Sequence, residues 1–383
     1  MDWTFLIANK ESLNVTTDSR KVTPGCIFVA LKGEHFDGNN FVEQARQEGA
    51  AYIIHGENAL LELQDLARAW RRELGLPILA ITGTNGKTTT KELCAAVLKT
   101  KYNLYYTQGN YNNSLGVPLT LLSITRSHEM AIVEMGASHP GDIKELVDIA
   151  EPDCGLITNV GKAHLQGFGS FEGVQKTKAE LYDYLRAHGG FCFRNTDNPY
   201  LAKMAGDLQT IPYTTGTMPE GTHLVGNYNA ENVSAAICVG KHFGIKEEDA
   251  LAAIRAYIPS NNRSQLVQTE RNTVIVDAYN ANPTSMSAAI NAFKGDTYIL
   301  GAMRELGEYS HLEHQNIVNM LLERKADKVL LVGEEYRQTT APYPVFENVD
   351  ALCAHLQQEP LNGRTILLKG SRSNTLEKVI PLL

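Results

Sequence analysis

A glycine-bearing turn between an apolar segment and a helical segment constrains this chain more than any other feature. Residues 76–81 are apolar, the run Gly-Thr-Asn-Gly-Lys-Thr-Thr follows at 83–89, and a helical pattern begins at about Lys87. The backbone N–H groups of such a turn and the N-terminus of the next helix bind phosphate, Lys87 can reach the β- and γ-phosphates, and the Thr88 hydroxyl can ligate Mg²⁺. The loop is a variant of the Walker A sequence, because Ile81 stands where the first glycine would be. The sequence therefore predicts a nucleotide-binding domain.

Length and composition narrow the class of protein. A chain of 383 residues predicts two or three domains. The net charge of −8 argues against nucleic acid as the main partner. Six scattered cysteines without a CxxC pair predict reduced thiols. The N-terminus does not resemble a signal peptide, and no apolar run approaches the roughly 18 residues of a membrane span. We therefore expect a cytoplasmic protein without membrane insertion.

The hydrophobic pattern predicts an α/β fold in three domains, at 1–76, 77–258 and 259–383. From residue 77 onward, short and nearly continuous apolar runs alternate with helical patterns, which is typical of a mostly parallel sheet covered on both faces. The third domain has the same alternation and resembles a small doubly wound domain of the dinucleotide-binding type, although it has no GxGxxG run.

Several polar residues follow predicted strands of the central domain. Glu134 ends an apolar strand, where its carboxylate could ligate Mg²⁺ or serve only as a helix cap. His164 lies in a loop with nearby glycines and could be a ligand or a satisfied surface residue. The composition around Lys176 and Lys178 favours a solvated helix face.

The third domain offers further candidates at its strand–helix junctions. Asn280 and Asn282 could donate hydrogen bonds to a ligand, although Asn-Pro is also a common helix start. The run Lys-Gly-Ser-Arg-Ser at 369–373 offers donors for an anionic group. Arg263, in the linker, could reach a nucleotide if the domains close.

Taken together, these motifs resemble the Mur ligase family over nearly the whole chain. Besides the phosphate loop, the matching segments are 17–20, 24–34, 110–120, 157–164, 279–286, 303–307 and 369–373. The resemblance implies a small N-terminal α/β unit that binds a UDP-sugar, a central P-loop domain that binds ATP, and a Rossmann-like C-terminal domain. It also implies an ATP-dependent ligase that forms an amide bond through an acyl phosphate.

The same resemblance implies roles for individual residues. It assigns the catalytic role to Lys87, His164 and Lys178. It assigns ATP binding to Gly83, Thr84, Asn85, Gly86, Lys87, Thr88, Thr89, Asn229, Asn232, Arg263 and Asp277. It assigns substrate binding to Ser19, Arg20, Lys32, Gly33, Asp37, Asn110, Asn113, Asn280, Lys369, Ser371 and Arg372. Two Mg²⁺ ions would be bound by Thr88, Glu134, His164 and a carbamylated Lys178.

Within the family, segments 279–286, 303–307 and 369–373 favour the enzyme that joins D-alanyl-D-alanine to UDP-MurNAc-tripeptide. The resemblance to the family also implies a monomer. Lysine and meso-diaminopimelate are both compatible with the third position of that tripeptide. Two other ligases of this group remain alternatives: one adds a diamino acid to UDP-MurNAc-dipeptide, and one resembles folylpolyglutamate synthetase. A P-loop ATPase switch without ligase activity is a third alternative. Only seven residues separate Gly216 from Leu224, where the family usually carries several dozen, so a short lobe is expected here.

Overall fold

Three β-sheets organise the chain. The computed structural model describes residues 2–260 and 262–383. Within these ranges the sheets contain three, six and six strands. The α/β class predicted from the sequence is confirmed.

The first region is a small α/β unit. Its elements are α1 (Thr4–Ile7), β1 (Val15–Thr16), β2 (Ile27–Val29), α2 (Val42–Gln47), β3 (Tyr52–Ile54) and α3 (Ala59–Leu74). The strands pair in parallel in the order β1-β2-β3. Helix α3 packs on the second region, where the buried Trp70 donates its Nε1 hydrogen to the carbonyl of Ile124 at 2.9 Å. Side chains from the two regions therefore share one hydrophobic core.

The second region is a parallel sheet between two helical layers. Its elements are β4 (Ile78–Thr82), α4 (Lys87–Leu98), β5 (Leu104–Tyr106), α5 (Gly116–Leu122), β6 (Met130–Glu134), α6 (Asp142–Ala150), β7 (Cys154–Ile157), α7 (Leu165–Phe168), α8 (Phe171–Ala187), β8 (Phe191–Asn195), α9 (Pro199–Ala205), β9 (Thr210–Tyr213), α10 (Asn229–His242) and α11 (Glu247–Ala256). The strand order is β5-β6-β4-β7-β8-β9. Because successive strand residues face opposite sides, Ile78 and Ala80 pack in the core with α3, α5, α6 and α8, whereas Leu79 and Ile81 pack in the core with α4, α10 and α11.

The third region repeats this layered design on a smaller scale. Its elements are β10 (Gln265–Gln268), β11 (Thr273–Asp277), α12 (Pro283–Ala292), β12 (Thr297–Gly301), α13 (Ser310–Glu323), β13 (Lys328–Val332), α14 (Glu334–Arg337), β14 (Val345–Phe346), α15 (Val349–Gln358) and β15 (Thr365–Lys369). The strand order is β10-β11-β15-β12-β13-β14, with only β10 antiparallel to its neighbour. Short 3₁₀ segments lie at Ser19–Lys21, Gly38–Phe41, Gly307–Tyr309, Arg372–Asn374 and Leu376–Leu382.

The segment between β9 and α10 is short, as the sequence predicts. In the part of the chain that the structure describes, no strand or helix lies between Tyr213 and Asn229. None of the described helices is both long enough and apolar enough to cross a bilayer. The domain boundaries after residues 76 and 258 stay a prediction. The first two regions share one hydrophobic core and therefore pack as one body.

Candidate active site

The turn after β4 is a place where only glycine fits. Gly83 has φ +143°, and a Cβ there would lie 2.0 Å from the hydroxyl oxygen of Thr158. Gly86 has φ +78°, and a Cβ there would lie 2.5 Å from the amide oxygen of Asn232. Both positions combine a left-handed backbone with a close approach, so any side chain there would push the neighbouring segments away from the turn.

The turn is also braced by the loop that follows β7. The backbone N–H of Thr84 donates to the carbonyl of Asn159 at 2.9 Å, and that of Asn85 donates to the side-chain oxygen of Asn159 at 3.0 Å. Helix α4 then begins at Lys87. The first N–H groups of a helix have no partner within the helix and favour an anion. A rigid turn followed at once by a helix start therefore forms a phosphate site.

Lys87 folds back over this turn. Its ammonium group donates to the carbonyls of Gly83 at 2.8 Å and Thr84 at 3.1 Å. Burial lowers the pKa of Lys87 to about 8; the carboxylate of Glu134 opposes this effect and Arg263 adds to it. Bound phosphate would supply the countercharge that this lysine lacks.

Glu134 presents an unpaired carboxylate oxygen at the end of β6. Its side chain is 2% exposed, and Oε1 accepts hydrogen bonds from the Thr88 hydroxyl at 3.2 Å and the Asn112 amide at 2.8 Å. Oε2 is buried and has no hydrogen-bond partner. A buried anionic oxygen without a donor, next to a threonine hydroxyl, is a donor set that suits Mg²⁺.

His164 and Lys178 are two groups whose environment favours the uncharged form. Burial lowers the pKa of His164, although Glu305, which contacts its Nδ1, acts in the opposite direction. Lys178 is 2% exposed, and burial lowers its pKa well below the ordinary value, with Lys87 adding to the effect. Its ammonium nitrogen lies 5.7 Å from the ring centroid of Phe168. The sequence-based view of Lys178 as part of a solvated helix face was wrong, because this face of α8 is buried.

These groups do not form a complete metal site by themselves. Within residues 2–260 and 262–383, no three His, Cys, Asp or Glu side chains converge in a way that could hold a metal. The predicted set of Glu134, His164 and Lys178 contains only two such residues. The third would become a ligand only after its amine acquired a carboxyl group.

Asn229 and Asn232 lie beside the phosphate loop on α10. They are 1% and 5% exposed. The amide of Asn232 donates to Asn229 Oδ1 at 3.0 Å and accepts from the Thr90 hydroxyl at 3.0 Å, while the amide of Asn229 donates to the carbonyl of Val225 at 2.8 Å. The protein itself therefore uses part of their hydrogen-bonding capacity.

The third region faces the loop with a cation and an ion pair. The guanidinium carbon of Arg263 lies 3.8 Å from the ring centroid of Tyr279, and its Nε is buried without a partner. Asp277 and Lys369 end the paired strands β11 and β15, and Lys369 Nζ lies 2.6 Å from Asp277 Oδ2. Lys369 is 2% exposed. Its charge is thus compensated in this structure.

A cavity of about 730 Å³ lies between the second and third regions. Many predicted site residues line it: Thr84, Asn85, Gly86, Lys87, Thr88, Thr89, Asn113, Glu134, His164, Asn229, Asn232, Arg263, Asp277, Asn280 and Lys369. The fold therefore brings the phosphate loop, the acidic strand end and the third region around one space.

Other predicted residues do not line this cavity. They are Ser19, Arg20, Lys32, Gly33, Asp37, Gly83, Asn110, Lys178, Ser371 and Arg372. The first five lie in the first region, where Arg20 pairs with Asp18 at 2.8 Å and Lys32 forms a β-bridge with Asp37. Ser371 is buried, and Arg372 pairs with Glu377.

Among the cavity residues that the sequence did not single out, three have a clear structural role in the site. Asn112 donates to Glu134, and Asn159 braces the loop. Both stand in motifs that were recognised, but nothing in the sequence distinguishes them from neighbouring asparagines. Glu305 reaches the cavity from the third region. Only the packing of the two regions reveals it.

Family models match three parts of the chain. The model described as Mur ligase family, catalytic domain, matches residues 13–99. The Mur ligase middle domain matches residues 81–220, and the model described as Mur ligase, glutamate ligase domain, matches residues 262–372.

Individual proteins are similar over almost the full length. The UDP-N-acetylmuramoyl-tripeptide–D-alanyl-D-alanine ligase of Bacillus subtilis is 35% identical, over 96% of this chain and 92% of its own. That alignment is 422 positions long, more than the 383 residues of this chain, so it contains insertions that this chain lacks. The crystal structure of the Thermotoga maritima MurF ligase in complex with ADP superposes with a TM-score of 0.86 at 26% identity, covering 97% of both chains. A crystal structure of MurF from Acinetobacter baumannii gives 0.84 at 28% identity, covering 96% of this chain and 92% of that one.

Proposed function

The chain belongs to the Mur ligase family, and from this premise we infer that it is the ATP-dependent ligase that adds D-alanyl-D-alanine to UDP-MurNAc-tripeptide in peptidoglycan precursor synthesis. The observation that carries this conclusion is the cavity in which Lys87 and its loop face Asp277 and Lys369 of the third region. A ligase needs this arrangement, because it must hold a triphosphate against a carboxylate and then admit an amine.

We propose that the reaction proceeds through an acyl phosphate. The terminal carboxylate of the tripeptide attacks the γ-phosphorus of ATP, the bond to the β-bridging oxygen breaks, and ADP leaves. The amine of D-alanyl-D-alanine then attacks the acyl carbon and forms the carbon–nitrogen bond. The bond between the acyl carbon and the phosphate-bearing oxygen breaks, phosphate leaves with that oxygen, and the nitrogen releases one proton to solvent. Lys87 and the N-terminus of α4 neutralise charge on the phosphates during transfer. The third region excludes water that would hydrolyse the acyl phosphate.

Mg²⁺ fits the donor set beside the loop. Thr88 and Glu134 would hold one ion, and His164 and Lys178 would hold a second one close to Glu134. The unpaired Oε2 of Glu134 supports this assignment. Bound Mg²⁺ supplies positive charge to the phosphate oxygens during transfer.

We propose that Lys178 carries a carbamate. Carbon dioxide reacts with an unprotonated amine, and burial holds the pKa of Lys178 well below its ordinary value. No hydrogen bond or ion pair of its ammonium group is found in the described parts of the chain. The modification would replace a buried amine that has no hydrogen-bond partner in those parts by an anionic ligand.

The remaining predicted residues are proposed to bind the substrates. Asn229 and Asn232 would contact the adenine side of ATP, and Arg263 and Asp277 would contact its phosphates and ribose. The UDP end of the precursor would lie on the first region, at Ser19, Arg20, Lys32, Gly33 and Asp37. The acyl acceptor and the tripeptide end would lie near Asn110, Asn113, Asn280, Lys369, Ser371 and Arg372.

We propose that the reaction takes place in the cytoplasm and that the enzyme is a monomer. ATP is a cytoplasmic substrate, and all six cysteines are free thiols. The monomeric state is proposed from the resemblance to the Mur ligase family.

An acceptor comparison tests the proposed function. Purified protein would be given ATP, Mg²⁺ and UDP-MurNAc-tripeptide with D-alanyl-D-alanine, D-alanine or a diamino acid. Separate reactions would offer UDP-MurNAc-dipeptide with a diamino acid, and a folate with glutamate, and all products would be identified by mass. We expect UDP-MurNAc-pentapeptide only with the dipeptide, and no turnover by Lys87→Ala. A preference for UDP-MurNAc-dipeptide plus a diamino acid, or for a folate plus glutamate, would favour the related ligases. ATP hydrolysis that ignores every acceptor would favour an ATPase switch.

A further inference from the structure

The loop that carries His164 is held by the third region at several points. The Lys162 ammonium pairs with Glu313 of α13 at 3.1 Å, and the Glu313 side chain is only 6% exposed. The backbone N–H of Lys162 donates to the Thr284 hydroxyl at 3.2 Å, and that of Gln166 donates to the carbonyl of Glu305 at 3.3 Å. The position of this loop therefore depends on how the third region docks.

The side chains of His164 and Glu305 also contact each other across this interface. His164 Nδ1 contacts Glu305 Oε2, and both residues line the cavity. His164 has φ +50° and Glu305 has φ +60°. The left-handed backbone is uncommon for residues other than glycine and costs free energy. His164 and Glu305 both adopt this conformation and contact each other from different regions, which indicates that the fold requires their contact.

An exposed ion pair would be the simplest alternative. The side chains of His164 and Glu305 are 30% and 57% exposed, and exposed pairs contribute little to stability. That view explains neither the paired left-handed conformations nor the location of both residues on the cavity wall. It also leaves out a property of neutral imidazole: a ring that donates from Nδ1 has a free lone pair on Nε2, which can bind a metal.

We propose that Glu305 is a positioning residue that accepts the Nδ1 hydrogen of His164 and so turns Nε2 of His164 into a ligand for the divalent cation. Carboxylates that orient a metal-binding histidine in this way are frequent in proteins. Here the carboxylate belongs to the other domain. Docking of the third region orients His164 for the metal, and a bound metal orients His164 for Glu305. Metal binding and docking therefore strengthen each other. This inference rests on the proposed metal role of His164.

Metal affinity tests the proposal without reference to turnover. Mn²⁺ would be titrated into the protein with a non-hydrolysable ATP analogue and followed by electron paramagnetic resonance. We expect Glu305→Ala to raise the dissociation constant of the more weakly bound Mn²⁺ ion about tenfold. This is the lower end of the loss in metal affinity that follows removal of a carboxylate that orients a metal ligand. Glu308→Ala is the matched control, because Glu308 is exposed, lies in the same segment and is outside the cavity lining. It should bind Mn²⁺ like the parent.

A double variant separates positioning from general docking. If Glu305 acts through the imidazole, adding Glu305→Ala to His164→Ala should weaken Mn²⁺ binding no further. Small-angle scattering should also show a metal-dependent compaction that Glu305→Ala reduces and Glu308→Ala retains. Parent-like Mn²⁺ affinity in Glu305→Ala, or independent losses in the double variant, would overturn this proposal and leave the metal role of His164 intact. Parent-like affinity in His164→Ala would overturn both.

Discussion

At the scale of single residues, the site depends on lysines kept in environments that disfavour their charge. Burial lowers the pKa of both Lys87 and Lys178, and Lys87 is close enough to Lys178 to lower the pKa of Lys178 further. The two lysines can leave this unfavourable state by different chemical routes. Lys87 can regain its charge when phosphate binds, whereas Lys178 can lose its basicity by reacting with carbon dioxide.

We predict that nucleotide binding takes up protons above pH 7. The pKa of Lys87 is about 8 in the free protein, below its ordinary value, so near pH 8 about half of the molecules lack its proton. Phosphate favours the charged form and raises this pKa, so binding takes up about half a proton at pH 8 and almost none at pH 6. Calorimetry with an ATP analogue in two buffers of different ionisation enthalpy measures the uptake. Lys87→Met should abolish it, and equal heats in the two buffers at pH 8 would contradict the role of Lys87.

We predict that Lys178→Ala can be rescued chemically. The variant should lose most ligase activity, because the carbamate oxygens disappear, and added formate or acetate should restore part of it. Lys176→Ala is the control: Lys176 lies on the same helix but is exposed, and the variant should stay active without rescue. Full activity of Lys178→Ala without any carboxylate would show that the lysine has only a packing role.

At the scale of elements, the phosphate loop works because its glycines let two neighbouring segments approach. Gly86→Ala would place a methyl group 2.5 Å from Asn232 Oδ1 at φ +78°, whereas Gly189→Ala has a similar φ of +72° and nothing within 4 Å. We expect both variants to lose about 1 kcal/mol of stability from backbone strain, and only Gly86→Ala to lose nucleotide affinity as well. Equilibrium titration of a fluorescent ATP analogue measures the difference. Equal affinities for the two variants would mean that the loop tolerates the displacement.

Helix α3 joins the first region to the second through Trp70. The chain has two tryptophans, both nearly fully buried: Trp70 donates to Ile124, while Nε1 of Trp3 has no partner. We predict that Trp70→Phe costs about 1–3 kcal/mol more free energy of unfolding than Trp3→Phe, because only the first leaves a buried carbonyl without its donor. Urea unfolding of both variants provides the comparison. A larger loss in Trp3→Phe would show that α3 is not held in this way.

The sequence predicted elements better than contacts between them. The strand before Gly83, the helix from Lys87 and the carboxylate at Glu134 follow from local patterns, because periodicity and turn chemistry act over a few residues. The pairing of Asp277 with Lys369 depends on strand register, and 92 residues separate the two side chains. The sequence therefore suggested two separate ligand contacts where the structure has an ion pair.

At the scale of the whole molecule, the reaction is divided between domains. The second region supplies the phosphate loop and Glu134, and the third supplies Arg263, Lys369 and Glu305 to the same cavity. This arrangement fits a reaction whose intermediate must be kept from water until the amine arrives. The contact of Glu305 with His164 lay beyond sequence reasoning, because 141 residues separate the pair and only the docking of the domains brings them together. The short connection between Tyr213 and Asn229 also reaches this cavity, because Tyr228 is part of the cavity lining.

The most direct test of the central claim follows the oxygen atoms of the substrate. UDP-MurNAc-tripeptide would be prepared with both oxygens of its terminal carboxylate labelled with ¹⁸O, and ligated to D-alanyl-D-alanine with unlabelled ATP. If ATP activates this carboxylate as an acyl phosphate, one labelled oxygen appears in the released phosphate and the other stays in the new amide. Phosphate that carries no label while the pentapeptide forms would contradict the account.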